Sequence, residues 1–274
     1  MQIVATDPLK MQRARGLGRI TTKLRDDATH LQTLYQEGCA KIRLPHTHDR
    51  SLDAVLINTA GGLTGGDHMR WEADIAPGSR ATITTQACER IYRSTGATAQ
   101  AETQLKVGAD AHLDWLPQET ILFAASRFAR RIDIDLAPGA GLTAIEAVLL
   151  GRDAMGEDAR DAMFRDTWRI RRNGRLVHAE ATHIDGSGLA RDNPALLAGT
   201  RAFATIIHFG PDLANRLEQI RALLPEGANA AASVTDERLV IRAMANSGLA
   251  LRRAIVPILG ALSRAGSLPR LWHL

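Results

Sequence analysis

One acidic residue, Glu146, lies in a segment whose other residues are apolar. Glu146 lies between Ile145 and Ala147 in an otherwise apolar stretch, Ala144–Leu150. A carboxylate among apolar neighbours costs free energy unless it is paired with a cation or reached by water. Glu146 is therefore expected either to pair with an arginine, such as Arg152, or to line a polar channel.

Nine histidines offer nitrogen ligands for a metal ion. His46 and His48 lie two residues apart in a predicted loop, and such a pair can bind Ni²⁺ or Zn²⁺; a solvated loop is the alternative. His178 and Glu180 share one face of a predicted strand, with His183 on the other face. This spacing differs from the HExxH helix of metalloproteases, which excludes that class.

The most unusual segment is Asn58–Asp67, which reads NTAGGLTGGD. Its glycines are Gly61, Gly62, Gly65 and Gly66. Glycine-rich loops can bind phosphate through bare backbone N–H groups. The GxxxxGK[ST] pattern is missing, however, and alternating residues rather than a helix come next. The loop is therefore predicted to form a tight corner, or a place where another backbone comes close, with Asp67 as a turn residue or a ligand.

No catalytic nucleophile is recognisable in the sequence. There is no GxSxG motif, and Ser94 and Ser126 have no base nearby in the sequence. Cys39 opens a predicted strand, where cysteine usually serves as a small buried residue. With no complete catalytic or phosphate-binding motif, the chain is predicted to have no hydrolase, kinase or nucleotide-binding activity alone.

Composition excludes several protein classes. The 274 residues are 45% hydrophobic and 23% charged, which are values typical of globular proteins and not of disordered ones. The 23 glycines and 10 prolines exclude a coiled coil. The net charge is +4, but aromatic residues are only 4% and the arginines are dispersed, so no nucleic-acid partner is expected.

The cellular setting is predicted from what the sequence lacks. No apolar stretch approaches the roughly 18 residues of a membrane-spanning helix, so no membrane partner is expected. The first ten residues have no apolar signal-peptide region. The two cysteines, Cys39 and Cys88, lie outside any CxxC pattern, which predicts a cytoplasmic protein without a disulfide scaffold or structural zinc site.

Period-2 alternation with β-branched residues predicts strands over most of the chain. The predicted strands are Gly18–Lys23, His30–Gln36, Ala40–Leu44, Asp53–Asn58, Arg70–Ile75, Ala81–Thr85, Gln100–Val107, Ala111–Trp115, Arg131–Leu136, Leu142–Leu149, Phe164–Arg171 and Leu176–Ile184. Turn residues separate them. Asn173 and Gly174 are predicted to form a two-residue type I′ hairpin, because both tolerate positive φ.

One regularity extends over several strands. Similar segments recur around Gly78, Gly108 and Gly139, at a period of about 30 residues. Such a period predicts stacked strand units that each bury a face on the next; three ordinary hairpins spaced by chance are the alternative. No linker is visible. The predicted fold is mainly β, a stacked-strand, β-helix-like single domain over residues 1–274 with a few helices in the C-terminal third.

Helices are predicted only in this last third. After Pro211 a first helix presents one apolar stripe at helical spacing: Leu213, Leu217, Ile220 and Leu224. A second helix runs from Ser247 to about Ser263, with an inward stripe of Leu251, Ile255, Leu259 and Leu262. A short helix is predicted near Asn193–Ala198.

Five ordered segments resemble the urease accessory protein D family (UreD, called UreH in some bacteria). They are Leu34–Pro45, Asn58–Asp67, Thr84–Ser94, Trp115–Phe123 and Gly151–Glu157. Together they cover the region from about Gly18 to Ile184 with family-like spacing, and the chain length also fits. Cys88 stands where the family pattern has a small residue. Five segments in order are far more specific than the glycine loop alone.

The resemblance implies a non-enzymatic role in urease maturation. Members of the family bind apo-urease (the urease subunits before nickel is inserted) and the F accessory protein (UreF). Through UreF they bind the G accessory protein (UreG), a nickel-carrying GTPase. The family fold is mostly β in stacked, helix-like layers. No cofactor is expected to be tightly bound, and nickel is expected only in transit.

A water-filled tunnel through the protein is the route that the resemblance implies for Ni²⁺. Asp67, Glu146 and Glu180 are the candidates to line it. Carboxylates and water hold a passing cation weakly enough to release it, whereas thiolates would hold it too firmly. Salt bridges with the abundant arginines are the alternative role for these acids.

Two other classes remain open. A stacked-β carbohydrate-active enzyme would need paired carboxylates in a groove with aromatic platforms, and the aromatic content argues against it. A plain structural subunit has no need of an acid such as Glu146 in an apolar strand.

Overall fold

The computed structural model of the chain describes residues 12–46, 49–185, 192–194, 196–227, 229–263 and 268–273. Along the chain the strands are β1 (Arg15–Arg25), β2 (Ala28–Gly38), β3 (Ala40–Arg43), β4 (Leu52–Asn58), β5 (His68–Ile75), β6 (Arg80–Thr85), β7 (Glu89–Ile91), β8 (Ala99–Val107), β9 (His112–Leu116), β10 (Thr120–Leu122), β11 (Arg127–Leu136), β12 (Gly141–Leu150), β13 (Met163–Arg172), β14 (Arg175–Asp185), β15 (Ala202–Phe209), β16 (Asn229–Thr235) and β17 (Arg238–Ala245). The helices are α1 (Leu213–Leu223) and α2 (Gly248–Leu262), with short 3-10 turns at Asp153–Met155 and Arg270–Trp272.

The chain winds as a coil of stacked strands that passes back and forth between two sheets. In the first sheet β5, β8, β11 and β13 pair in parallel, and in the second β4, β6, β9 and β12 do the same. Arg80 of β6 aligns with His112 of β9, which aligns with Gly141 of β12. This offset matches the predicted period of about 30 residues. The predicted mainly β, stacked-strand fold is confirmed.

The glycine-containing turns of successive coils also stack. The Gly78 N–H donates to the carbonyl of Ala109 at 2.9 Å, and the Asp110 N–H donates to the carbonyl of Pro138 at 3.1 Å. Each turn therefore bonds to the corresponding turn of the next coil. The recurring glycines mark these equivalent corners, which is why they were visible in the sequence as a repeat.

Antiparallel strands close both ends of the coil. The order in the first sheet is β14-β13-β11-β8-β5-β1-β2, and in the second it is β16-β17-β15-β12-β9-β6-β4-β3. The short strands β7 and β10 pair with each other beside β12. The pairs β1–β2, β3–β4, β13–β14 and β12–β15 are antiparallel. Asn173 and Gly174, between β13 and β14, have φ values of 50° and 76°, as the predicted type I′ hairpin requires.

Three layers enclose two apolar cores. One core fills the space between the two sheets, where residues such as Leu105, Ile134 and Phe164 are fully buried. The other lies between the second sheet and the two helices, where Ile145 of β12 and Ile255 of α2 belong to one cluster. Strand β12 is thus covered on both faces, which explains its nearly continuous apolar sequence.

Both predicted long helices are present. The inward stripe of α2 is buried as expected, and the Ser247 hydroxyl accepts the N–H of Ala250 at 3.2 Å as the N-terminal cap. Neither helix has the length and apolar character needed to span a bilayer within the described ranges.

The C-terminal third also differs from the prediction. It contains three strands, β15, β16 and β17, beside the helices. The described residues of 193–198 form turns, in which the Asn193 carbonyl accepts the N–H groups of Leu196 and Ala198. A single turn of this kind is too short to offset the cost of helix nucleation, so the predicted short helix was wrong.

Candidate functional site

A buried ionic cluster lies between the two sheets. Arg130 of β11 donates from Nε and Nη2 to the two carboxylate oxygens of Asp166 of β13, at 3.0 and 2.6 Å. Its Nη1 donates to Glu146 Oε2 on β12, in the other sheet. Each of the three residues is at most 7% exposed. These residues are called the Arg130 cluster below.

Glu146 therefore pairs with an arginine, but not with the one that the sequence suggested. Arg152 leaves the end of β12 and pairs with Glu157 at 2.7 Å. Glu146 instead points with Ala144 and Val148 into the core between the sheets, where Arg130 stands opposite. Glu146 and Arg130 meet because the two sheets pack face to face. Closeness in the sequence, which pointed to Arg152, therefore does not identify the partner of Glu146.

Neutral side chains complete the hydrogen bonds of the Arg130 cluster. The indole N–H of Trp115 donates to Glu146 Oε1 at 3.2 Å, and that of Trp168 donates to Asp166 Oδ2 at 3.2 Å. Arg130 also donates to the Thr120 hydroxyl at 3.2 Å. All four carboxylate oxygens thus accept at least one hydrogen bond, as buried oxygens must. A cation that reached Glu146 would have to displace one of these donors.

The Arg130 cluster contains two carboxyl groups and one guanidinium group. Burial raises the pKa of Glu146 to about 7; Arg130 opposes this rise and Asp166 adds to it. Asp166 and Glu146 raise the pKa of Arg130 against the effect of burial. Arg130 is therefore always charged, whereas Glu146 gains or loses a proton near neutral pH. A buried carboxyl group whose pKa is shifted towards neutral pH is a candidate functional group.

Glu180 lies at a different place, in β14 at the edge of the first sheet. It lines a cavity of about 630 Å³, which we call the edge cavity. Arg242 of β17 donates to both of its carboxylate oxygens at 2.9 and 3.0 Å, and the Thr205 hydroxyl donates at 3.2 Å. Burial alone would raise the pKa of Glu180, but His178 and Arg242 hold it below its usual value. Glu180 is therefore ionised at neutral pH.

Asp67 closes the glycine-rich loop. Its Oδ1 accepts the N–H of Ala14 and its Oδ2 accepts the N–H of Thr64, both at 2.8 Å. The residue is 5% exposed. Both oxygens are thus used to fix the backbone at the start of β5, which corresponds to the turn role considered for this residue. A passing ion would have to compete with both contacts.

The structure does not bring the three acids into one site. Asp67 precedes β5, Glu146 lies in β12 and Glu180 lies in β14. Within the described ranges no three His, Cys, Asp or Glu residues are grouped so as to hold a metal ion. Of the proposed histidine pair, His48 lies outside the described residues. A path along these acids would therefore consist of separate contacts.

The glycine-rich loop is a tightly packed corner. Positive φ values occur at three of its four glycines: Gly61, Gly62 and Gly66. A Cβ at Gly65 would lie 2.4 Å from the backbone carbonyl oxygen of Ala97 and 2.1 Å from Ser94 Oγ. The loop therefore lies directly against the next coil, and Gly65 is required by close approach rather than by φ.

Both cysteines are free thiols of low reactivity. Burial and the neighbouring Glu119 raise the pKa of Cys88 to about 12, and its Sγ lies 3.4 Å from Glu119 Oε2. Burial also raises the pKa of Cys39. Neither thiol is activated as a nucleophile, because activation requires a lowered pKa.

A pair of histidines that the sequence analysis did not select lines another cavity, of about 510 Å³. We call it the histidine cavity. His112 Nε2 is 2.9 Å from Asp114 Oδ1, and His208 Nδ1 is 3.1 Å from the Thr143 hydroxyl. His208 Nε2 is buried without a hydrogen-bond partner among the described residues. His208 follows Ile206 and Ile207 in β15, so a polar residue in an apolar strand was the available signal, as for Glu146.

His208 makes folding stability depend on pH. Burial, with smaller effects of His112 and Arg216, lowers its pKa from the usual 6.5 to about 4. Between about pH 6.5 and 4 the unfolded chain binds a proton at His208 that the folded chain does not bind. The free energy of unfolding contributed by this group is therefore lost as the pH falls from about 6.5 to 4, by about 3 kcal/mol in total.

We expect His208→Gln to reduce this pH dependence. Urea unfolding at pH 7 and at pH 4.5 measures the difference for the original chain, for His208→Gln and for His30→Gln, a matched control on the exposed strand β2. The original chain and His30→Gln should lose similar stability, and His208→Gln clearly less. Equal losses in all three would show that His208 is not the group responsible.

Comparison with known proteins gives consistent results. A family model described as "UreD urease accessory protein" matches residues 14–273. A urease accessory protein UreD of Chelativorans sp. is 57% identical over 267 residues, which cover 97% of this chain and 96% of that protein. A UreD of Rhizobium johnstonii is 48% identical over 272 residues, covering 99% of each chain. A UreD of Agrobacterium fabrum is 45% identical over 271 residues, covering 98% and 95%.

Proposed function

The chain belongs to the UreD family of urease accessory proteins, and from this membership we propose that it acts as a non-catalytic scaffold and ion conduit during nickel insertion into urease. Its partners in this proposal are the apo-urease subunits, the F accessory protein and, through it, the G accessory protein. The observation that carries the proposal is the family match over nearly the whole chain.

The interior of the coil supports the conduit part of the proposal. Polar groups reach the core between the sheets at the Arg130 cluster, where Glu146 changes its protonation near pH 7. Glu180 offers an ionised carboxylate on the wall of the edge cavity. Weak contacts at separate positions suit an ion that must be released again, whereas a site with three or four ligands would retain it.

The arrangement gives less support to the carbohydrate-active alternative. That enzyme class needs two carboxylates that flank one bond, about 5 to 10 Å apart. Asp67 lies in the loop before β5, and Glu146 and Glu180 lie in different strands. Each of these acids is bound to an arginine or to backbone N–H groups. No observation in the described residues favours a glycosidic substrate.

We expect neutral isosteres of the two conduit acids to block nickel transfer but not assembly. Glu146→Gln and Glu180→Gln keep the size of each side chain and one of its two acceptor oxygens, and they remove its charge. In the double variant, nickel bound per urease should fall by about tenfold, the lower end of the loss seen when a group that supports a metal site is removed. Glu102→Gln, on the outer face of β8, is the matched control and should leave the nickel content unchanged.

Two measurements separate the possible roles. Co-purification with apo-urease and the F and G proteins reports assembly, and elemental analysis of the resulting urease reports nickel. Intact assembly with low nickel supports the conduit. Normal nickel in the double variant would contradict the conduit, and lost assembly would assign the acids a structural role instead.

A further inference from the structure

The outer face of the first sheet carries its charges unevenly. On β5 and β8 the outward charged residues are of mixed sign: Arg70, Glu72, Asp74, Glu102 and Lys106. Arg70 pairs there with both Glu72 and Glu102, at 2.6 and 3.8 Å. On β11 and β13 the outward charged residues are mostly arginines: Arg127, Arg131, Asp133, Asp135, Arg165, Arg169 and Arg171. We call the outward side of these two strands the arginine face.

Two arginines of this face have no compensating acid. Arg131 and Arg171 both pair with Asp133. Arg165 and Arg169 are exposed, and neither forms an ion pair or a side-chain hydrogen bond with any residue that the structure describes. Their guanidinium groups are therefore available to another molecule.

Small side chains surround these two arginines. On β13, Thr167 lies between Arg165 and Arg169. Ala129 of β11 aligns with Arg165, and Ala181 of β14 aligns with Thr167. Residues four apart on one strand are about 13 Å apart, so the two guanidinium groups flank a shallow floor. The backbone of a partner can approach this floor closely while its side chains reach both arginines.

We propose that the arginine face is the docking surface for an acidic surface of a partner protein, with Arg165 and Arg169 as the main contacts. Charge complementarity carries this assignment. Carboxylates of the partner compensate the two free guanidinium groups, and arginine binds a carboxylate through two parallel N–H donors. That the partner belongs to the urease-maturation assembly rests on the function proposed above.

A nucleic acid fits the arginine face less well than a protein does. The outward residues of β11 and β13 include no aromatic side chain on which a base could stack. Asp133 and Asp135 lie among the arginines and would repel a phosphate backbone. A protein surface can place lysine or arginine opposite these two acids, which would also fix the orientation of the complex.

Binding of a polyanion to the full-length chain tests the docking chemistry. Isothermal titration calorimetry with short poly-L-glutamate at low ionic strength should show saturable binding. Arg165→Gln combined with Arg169→Gln should weaken this binding by about tenfold, the effect of losing two exposed ion pairs. Lys23→Gln combined with Arg25→Gln removes the same charge from exposed positions of β1 and should leave the binding nearly unchanged. Equal weakening by both double variants, or tighter binding of duplex DNA of equal charge by the original chain, would overturn the proposal.

Co-purification tests whether urease maturation uses this face. Arg165→Glu combined with Arg169→Glu should clearly reduce co-purification with apo-urease and the F and G accessory proteins. Lys23→Glu combined with Arg25→Glu is the matched control and should assemble normally. All four positions are exposed, so the unfolding midpoint of both variants should stay close to that of the original chain. Normal assembly of the arginine-face variant would overturn the proposal. Failure of the original chain to assemble would instead contradict the proposed function, and the calorimetry would still decide on the docking chemistry.

Discussion

Replacing Arg130 by methionine is expected to lower the free energy of unfolding by about 3–5 kcal/mol, the usual cost of leaving buried charges without their partner. The guanidinium is the cation that compensates Asp166 and Glu146 in the core between the sheets. Glu146 would respond by taking up a proton, since burial already raises its pKa to about 7. Asp166 would remain with the indole N–H of Trp168 as its neutral donor.

The neighbouring residue provides a matched control. Arg131 is on the opposite face of β11, with its side chain 59% exposed and paired with Asp133. Arg131→Met should change the free energy of unfolding by less than about 0.5 kcal/mol, as is usual at the surface. Urea unfolding followed by circular dichroism measures both variants. Equal effects would show that the buried pairing does not stabilise the fold.

A rescue variant separates charge from packing. Adding Glu146→Gln and Asp166→Asn to Arg130→Met removes the buried charges and keeps acceptor oxygens for Trp115 and Trp168. This triple variant should regain most of the stability lost in Arg130→Met, because an uncompensated charge, and not the loss of the arginine itself, is the main cost. Failure to regain stability would mean that the arginine contributes mainly by packing.

Gly65→Val is the second change with a large expected effect. The added Cβ would lie 2.4 Å from the carbonyl oxygen of Ala97, so the backbone of the loop or of the next coil must move. Forcing atoms into a packed region costs about 1–3 kcal/mol or more, and here the obstacle is backbone, which places the cost at the upper end. We expect a lower unfolding midpoint, a lower yield of folded protein and weaker assembly with urease.

The same loop contains a suitable control. Gly61 has a φ of 76°, and a Cβ at this position would have no neighbouring heavy atom within 4 Å. Asparagine tolerates this backbone region. Gly61→Asn should therefore change the unfolding midpoint little. If Gly65→Val formed the complex and activated urease as well as Gly61→Asn, close packing of the loop would not be needed.

The sequence predicted the features that depend on local pattern. The stacked coil was visible because its corners repeat as Gly78, Gly108 and Gly139, and α2 was visible from its apolar stripe. Strand β16 was missed because it reads Asn-Ala-Ala-Ala-Ser, in which alanine is a poor indicator of strands. Local sequence patterns therefore predicted the stacked coil but did not predict the C-terminal strands that extend it.

The site was predictable only in part, because its pairings join different coils. Glu146 was recognised as an acid in an apolar strand, yet its partner Arg130 lies in the opposite sheet and is brought near by the stacking of β11 over β12. His208 gave the same signal but was not selected. Identifying the polar residues needs only the sequence, whereas identifying their partners needs the register of the coils.

The C-terminal strands and helix α2 pack against one face of β12, and this has a consequence for synthesis of the protein. Ile145 and Ala147 of β12 are buried only when β15, β17 and α2 lie against them. Translation runs from the N-terminus, so the coils leave the ribosome with this apolar strip uncovered until α2 has emerged. A chain that stops before α2 should therefore retain its coils but aggregate through the open strip, and it would be a substrate for chaperones rather than a smaller working protein.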